Sequence, residues 1–310
     1  MTESEAPRRR RLRRLARRAS VIVAAVVAAL TVASFSYNLA TGPAPRPPGL
    51  RMLSAGGFDT RYRTWGTSGS PVVLVPGAFE TADTFDALAT ALGTDHRVFA
   101  IDLTGTGYST PSPPFTASHL ADQLIAFMAT ERLTGANAPV IVGHSSGAAV
   151  VGMAALRGRN IVAGVMFLDG DAIGLVGAPS LLGWLLVNPY RTTILRLGLS
   201  SSWLIRTIYN TRCGPLQQPG YESAAAYTIR HGIPSMTTAE FSQLRADAVP
   251  KRVVSGIHDS QISAADAAET ASRIGAPPPT AVPGRHLTMI SSPQQVAAAI
   301  RAFIRSTGHP

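Results

Sequence analysis

Apolar residues follow two patterns along this chain. From Val21 to Ala40 they run on without a charge, and beyond residue 70 they come in short bursts between more polar stretches. The bursts VVLV (72–75), RVFAID (97–102), PVIVG (139–143), VMFLD (165–169) and RVVSG (252–256) are apolar on successive residues, as in strands covered on both faces. Thr81–Leu92, Ser118–Leu133, Ser145–Arg157, Ala264–Ile274 and Pro293–Ile304 read as helices, each placed to be the crossover that two parallel strands require. Ahead of them, alternation in FDTRYRTW (58–65) marks a half-buried strand, which pairs with Arg51–Ser54 across Gly56-Gly57. This order predicts an α/β protein: a mostly parallel sheet flanked by helices. The rhythm breaks over about 171–245, which holds LLGWLLV, TTILRLGL and SSWLIRTIY. That stretch is too long for one crossover and too long for a structureless loop, so it predicts a largely helical cap inserted over the sheet's C-terminal edge.

The uninterrupted run needs a different solvent. At ~1.5 Å per residue, a helix over 20–40 matches the ~30 Å hydrocarbon core of a bilayer. Charge supports this. The chain carries 28 basic and 18 acidic residues, a net +10 that by itself suggests nucleic acid. Eight arginines (Arg8, Arg9, Arg10, Arg11, Arg13, Arg14, Arg17, Arg18) precede the run together with Glu3 and Glu5, leaving 20 basic against 16 acidic residues for the remainder. The domain thus lacks the basic excess of a nucleic-acid binder. The positive-inside rule makes residues 1–19 a cytoplasmic segment and 20–40 a signal anchor, with the bulk of the chain extracytoplasmic at the cell membrane. The alternative is a secretory signal peptide, cleaved to release a secreted protein. TGPAPRPPG (41–49) is too proline-rich for a helix or central strand and reads as a stiff linker before a folded domain at 50–310. The single cysteine, Cys213, allows no internal disulfide, and no Cys/His cluster has metal-ligand spacing, so neither a metal nor another cofactor is expected.

The chemistry concentrates in GHSSG (143–147), which follows a buried strand and opens a helix. A serine on such a strained turn is exposed only if its neighbours are small, which Gly143 and Gly147 supply, and the helix start aims N–H groups at any oxyanion formed there. Ser145 is therefore the candidate nucleophile. It needs a base, and the base an orienting acid. Of the later histidines, His231 falls in the expected cap, His309 is next to the terminus, and His258 is expected to point away from the site. His286, in VPGRHLTMISS after a last strand, is the candidate base. Asp259, past the strand ending at Gly256, is the candidate acid, with Asp169 at the end of VMFLD as the alternative. The Ser146 N–H and the Ala78 N–H, beside the flexible Gly77, are the candidate oxyanion donors, and Phe79 a candidate wall.

Together these residues resemble the α/β-hydrolase superfamily over about 55–306. GHSSG looks like its nucleophile elbow, PGAFE (76–80) like its HG-x oxyanion turn, and DLTGTGYS (102–109) like its D-x-x-G-x-G-x-S loop, with Asp259 and His286 in the places of acid and base. Pro76 departs from the usual histidine. The resemblance implies an α/β-hydrolase fold and a serine hydrolase, whereas epoxide hydrolases and haloalkane dehalogenases of this fold use an aspartate where Ser145 stands. The reading is cleavage of a small-molecule acyl ester through an acyl-enzyme, the apolar insertion favouring a hydrophobic or lipid-like substrate. The alternatives are cofactor-free haloperoxidase-type or C–C hydrolase chemistry with the same residues, or a non-catalytic ligand-binding member of the fold.

Overall fold

The structure, a computed structural model, describes residues 5–41, 46–158, 161–173, 190–200, 227–228 and 231–308. Each apolar burst is a strand: β3 (Pro71–Val75), β4 (Arg97–Ile101), β5 (Val140–His144), β6 (Gly164–Leu168) and β7 (Lys251–Gly256). β1 (Arg51–Ala55) and β2 (Phe58–Trp65) form the expected hairpin, and a short β8 (Thr280–Val282) completes the sheet. The eight strands lie in the order β1-β2-β4-β3-β5-β6-β7-β8. β2 is antiparallel to both of its neighbours, and all pairs from β4 to β8 are parallel. The order reverses at β3, whose two neighbours are β4 and β5, and a crevice outside the C-terminal ends of strands at such a point is where α/β sheets bind ligands.

Helices cover both faces, as continuously apolar strands require. α3 (Ala117–Thr130) and α4 (Gly147–Arg157) pack on one face together with α6 (Thr238–Ala246) and α7 (Ala264–Ile274). The other face holds α2 (Asp86–Leu92), α8 (Thr288–Ser291) and α9 (Pro293–Thr307). Local sequence sets several helix ends: Thr237 with Glu240 and Ser263 with Asp266 form capping boxes, and Pro293 opens α9.

Two expected helices begin later than their sequence suggests. Thr81 caps a 3₁₀ turn over Ala82–Phe85 before α2 starts, because the Ala82 N–H is taken by the Asp102 carboxylate. α4 starts at Gly147, not Ser145, because Ser145 has φ +50°, a left-handed conformation that no α-helix includes.

Within the expected cap, α5 (Tyr190–Ser200) is helical. LLGWLLV, all of SSWLIRTIY and Cys213 lie outside the described residues, as does His309. α6 is a core element: its Phe241 and Leu244 are buried among residues of α4 and α7, so the sheet-flanking layer resumes at 238, before the boundary expected at 245. Ahead of the domain, α1 is a single helix over Glu5–Ala40 that joins the arginine block and the apolar run without a break at 19/20. Its stretch Arg10–Ala40 is long and apolar enough to cross a membrane and is almost wholly exposed.

Candidate active site

Five chain segments meet at the C-terminal edge of the sheet. Ser145 follows β5, the turn 76–80 follows β3, Asp169 follows β6, Asp259 follows β7, and His286 precedes α8. The elbow is close-packed: a Cβ on Gly143 would lie 2.2 Å from the Gly147 carbonyl oxygen, and one on Gly147 would lie 2.6 Å from the oxygens of Val75 and Pro76. Glycine lets the strand, the turn and α4 converge there. Ser145 donates its N–H to the Leu168 carbonyl (3.0 Å), which ties the strained residue to the end of β6.

His286 Nε2 lies 3.0 Å from Ser145 Oγ, and His286 Nδ1 lies 2.9 Å from Asp259 Oδ2. With Asp259 accepting from Nδ1–H, Nε2 is free to accept the serine proton. Asp259 Oδ1 also accepts the N–H groups of Gln261 (2.8 Å) and Ile262 (3.1 Å), which fix the carboxylate. Burial opposes charge on Asp259, but the bond to His286, the imidazole's charge and these amides outweigh it and hold its pKa below the ordinary carboxylate value. The candidate nucleophile, base and preferred acid are thus one hydrogen-bonded chain, although the chain positions of serine and histidine differ by 141 residues.

Asp169, the alternative acid, is engaged elsewhere. Its Oδ1 accepts the Gly256 N–H (2.8 Å), and Oδ2 accepts both the N–H and the hydroxyl of Thr288. It therefore ties β6 to β7 and to the start of α8, just past His286. Burial pushes its pKa up to about 6 against the pull of His144 and these bonds. His231 and His258 are exposed, and the Ser145 hydroxyl is paired with His286.

Sequence reasoning missed the residues that support this chain. His144 is fully buried, with Nδ1 2.9 Å from Glu80 Oε2 and Nε2 2.7 Å from the His286 carbonyl oxygen. A carbonyl and a carboxylate both accept, so both ring nitrogens carry protons and the ring is a cation. Burial alone disfavours that charge; the field and hydrogen bond of Glu80, the charge of Asp169 and the His286 carbonyl outweigh it and raise the pKa to about 9. The same Glu80 oxygen accepts the Gly77 N–H (2.9 Å), while the Glu80 N–H returns to the Gly77 carbonyl (3.3 Å). Glu80 thus organises the turn despite Pro76. That turn presses on the elbow: a Cβ on Gly77 would lie 2.9 Å from that of Ser145. Ala78 and Phe79 follow, Phe79 with φ +62°. The signal available in sequence was an ionisable pair, Glu80 in the turn after apolar β3 and His144 as the last residue of apolar β5.

The DLTGTGYS loop is architectural. Asp102 accepts the N–H groups of Ala82 and Tyr108 (2.8 Å each) and pairs with Arg61 (3.2 Å), while the Ser109 hydroxyl bonds the Asp102 carbonyl (2.7 Å). Gly107 passes so close that a Cβ there would meet Asp102 Oδ2 at 2.0 Å. Among the described residues, no cluster of three His, Cys, Asp or Glu side chains is arranged to hold a metal.

Residues 72–299 match the family model described as "Alpha/beta hydrolase family". The chain belongs to the alpha/beta hydrolase family. This hydrolase-family chain is 32% identical over 109 residues to ethanol acetyltransferase 1 of Cyberlindnera fabianii, covering 34% of this chain and 32% of that protein. It is 27% identical over 146 residues to N-formylmaleamate deformylase of Pseudomonas putida, covering 46% and 53%. The matched segments thus span about a third and about half of these relatives. A thermophilic esterase from Thermogutta terrifontis superposes with a TM-score of 0.63 at 23% identity, over 84% of this chain and 98% of that one, which shows a shared fold.

Proposed function

We propose that this alpha/beta hydrolase is a serine hydrolase of carboxylic esters, held at a membrane by α1, with Ser145 as nucleophile, His286 as base and Asp259 as its orienting acid. The supporting observation is the hydrogen-bonded chain from Ser145 Oγ through His286 to Asp259. As Ser145 Oγ attacks the ester carbonyl, its proton passes to His286 Nε2. Asp259 keeps the other ring nitrogen protonated and stabilises the imidazolium. Negative charge develops on the former carbonyl oxygen between the turn after β3 and the start of α4, where the Ala78 and Ser146 N–H groups are the donors in this reading. Collapse expels the alcohol, which takes the proton from His286. Water then repeats the sequence on the acyl-enzyme, releasing the acid and restoring Ser145. Glu80 and His144 act at one remove, as positioning residues for the turn and for the His286 loop.

The substrate in this reading is a hydrophobic or lipid-like acyl ester, because α1 holds the site at an apolar phase. The first test is labelling of the full-length protein with a fluorophosphonate. The wild type is expected to react covalently, and Ser145→Ala to lose labelling and roughly 10⁴- to 10⁶-fold in ester turnover. Equal labelling of Ser145→Ala removes the assignment. The second is a series of nitrophenyl esters, with octanoyl expected to outrun acetyl. The reverse order sinks the lipid-like substrate but not the nucleophile.

A further inference from the structure

The second half of α1 has a polar side. Thr31, Ser34, Asn38 and Thr41 recur at spacings of three, four and three residues, which places them on one stripe of the helix. The Thr31 and Thr41 hydroxyls donate to the Val27 and Tyr37 carbonyls of their own helix (2.7 Å each), but the Asn38 amide, facing hydrocarbon, would forfeit its hydrogen bonds to water. Here the stripe is covered by α5, whose Tyr190, Thr193 and Arg196 form a matching row at spacings of three. The Tyr190 hydroxyl lies 2.5 Å from Thr31 Oγ1, and Thr193 Oγ1 donates to Asn38 Oδ1 (3.0 Å). Arg196 Nη1 donates to the carbonyl oxygens of Asn38 (2.6 Å) and Thr41 (2.5 Å). Carbonyls in a helix's last turn lack intrahelical partners and form the negative end of its dipole, so the guanidinium caps α1. Ser34, beneath this row, is 8% exposed, whereas its neighbour Phe35 is 55% exposed.

Depth follows from helix geometry. Thr31 to Thr41 covers ~15 Å, the outer half of the ~30 Å apolar run. α5 lies along that half, with Arg196 level with the end of the run, at the depth where a guanidinium reaches headgroups and water. Ile194 and Leu197 of α5 are exposed, as are Phe35 and Leu39 of α1.

We propose that α1 is a permanent part of the folded enzyme, not a removable leader, and that its polar stripe clasps α5 within the outer half of the bilayer, so that the site takes acyl esters of lipids from that leaflet. The lipid clause rests on the serine-hydrolase reading; the clasp does not. Cleavage after Ala40 removes three of the four stripe residues on which α5 is seated.

Three measurements on the full-length, membrane-bound protein test this. With tags at both ends, the two are expected on one full-length membrane band; a C-terminally tagged product lacking the arginine block overturns retention. In a Cys213→Ser background, Ser34→Cys with Thr193→Cys is expected to cross-link on mild oxidation, while Ser36→Cys, on the exposed side of α1, with Thr193→Cys is not. No cross-link in the first pair, or equal yields in both, overturns the clasp. Finally, Arg196→Glu is expected to lower hydrolysis of dioleoylphosphatidylcholine in vesicles by about tenfold, the loss of one well-placed charged hydrogen-bond set, with nitrophenyl acetate hydrolysis unchanged. Equal loss on both overturns lipid delivery. If the wild type cleaves neither ester, the hydrolase reading and the lipid clause fall together, and the cross-link still decides the clasp.

Discussion

A histidine cation without solvent contact stands one residue ahead of Ser145. Through Glu80 it holds the turn after β3, and through the His286 carbonyl it holds the loop that carries the proposed base. Glu80→Gln keeps the side chain's size and removes the charge. It is expected to lower kcat about tenfold with KM little changed, and to abolish the doubly protonated state of His144 in ¹⁵N-histidine NMR spectra. A neutral His144 ring at pH 7 in the wild type overturns that account. The pH dependence has a definite sign. The folded pKa of about 9 lies above the ordinary histidine value of ~6.5, so the stabilisation is complete below that lower value and is lost as pH rises through about 9. Its size is on the order of 3 kcal/mol. Asp169 acts in another window: its folded pKa of about 6 lies above its unfolded value, so its contribution fades as pH rises from ~4 to about 6. Urea unfolding at pH 7 and pH 9.5 is expected to show the wild type losing stability over that interval, and His144→Gln, already less stable, losing much less.

At the scale of elements, the strands and the elbow are written locally and the support of the site is not. A burst of apolar residues marks a strand buried on both faces wherever it occurs, and G-x-S-x-G after such a strand marks the turn, because backbone contacts at Gly143 and Gly147 exclude any side chain. Gly143→Ala tests that constraint. Its Cβ would meet backbone atoms of Gly147 at 2.2 and 2.5 Å, atoms that have no rotamer to change. The expected cost is about 1–3 kcal/mol or more, seen as a lower Tm and slower fluorophosphonate labelling. Gly135→Ala is the control, since its Cβ meets nothing within 4 Å and only the strain of φ +62° remains. A smaller loss at Gly143 than at Gly135 contradicts the close-packing argument. By contrast, Asp169 and Asp259 each follow a buried strand and look alike in sequence; only the packing of Thr288 against one and His286 against the other separates them. Glu80 and His144 escaped notice for the same reason, their partnership spanning 64 positions. The left-handed Ser145, which delays α4 by two residues, is a property of the turn and leaves no mark in helical periodicity.

At the scale of the whole molecule, charge and length are divided along one axis. α1 has 36 residues, so at ~1.5 Å each it is ~54 Å long, well beyond the ~30 Å that hydrocarbon covers. The excess lies at the arginine-rich end. Eight arginines precede Val21, and no charged residue falls between there and Ala40, so the helix has one end that is costly to translocate and one that is not. The arginine end is expected to stay cytoplasmic, where anionic headgroups add attraction that fades with salt. The clasped cap and Ser145 then face the opposite side. Protease added outside spheroplasts of bacteria expressing the protein should remove a C-terminal tag and leave an N-terminal tag on a protected fragment of about the size of α1. Replacing the eight arginines with serine should leave the apolar run intact but mix the two orientations, so that part of the C-terminal tag becomes protected. A C-terminal tag protected in the unaltered protein would reverse the topology and place the site on the arginine side.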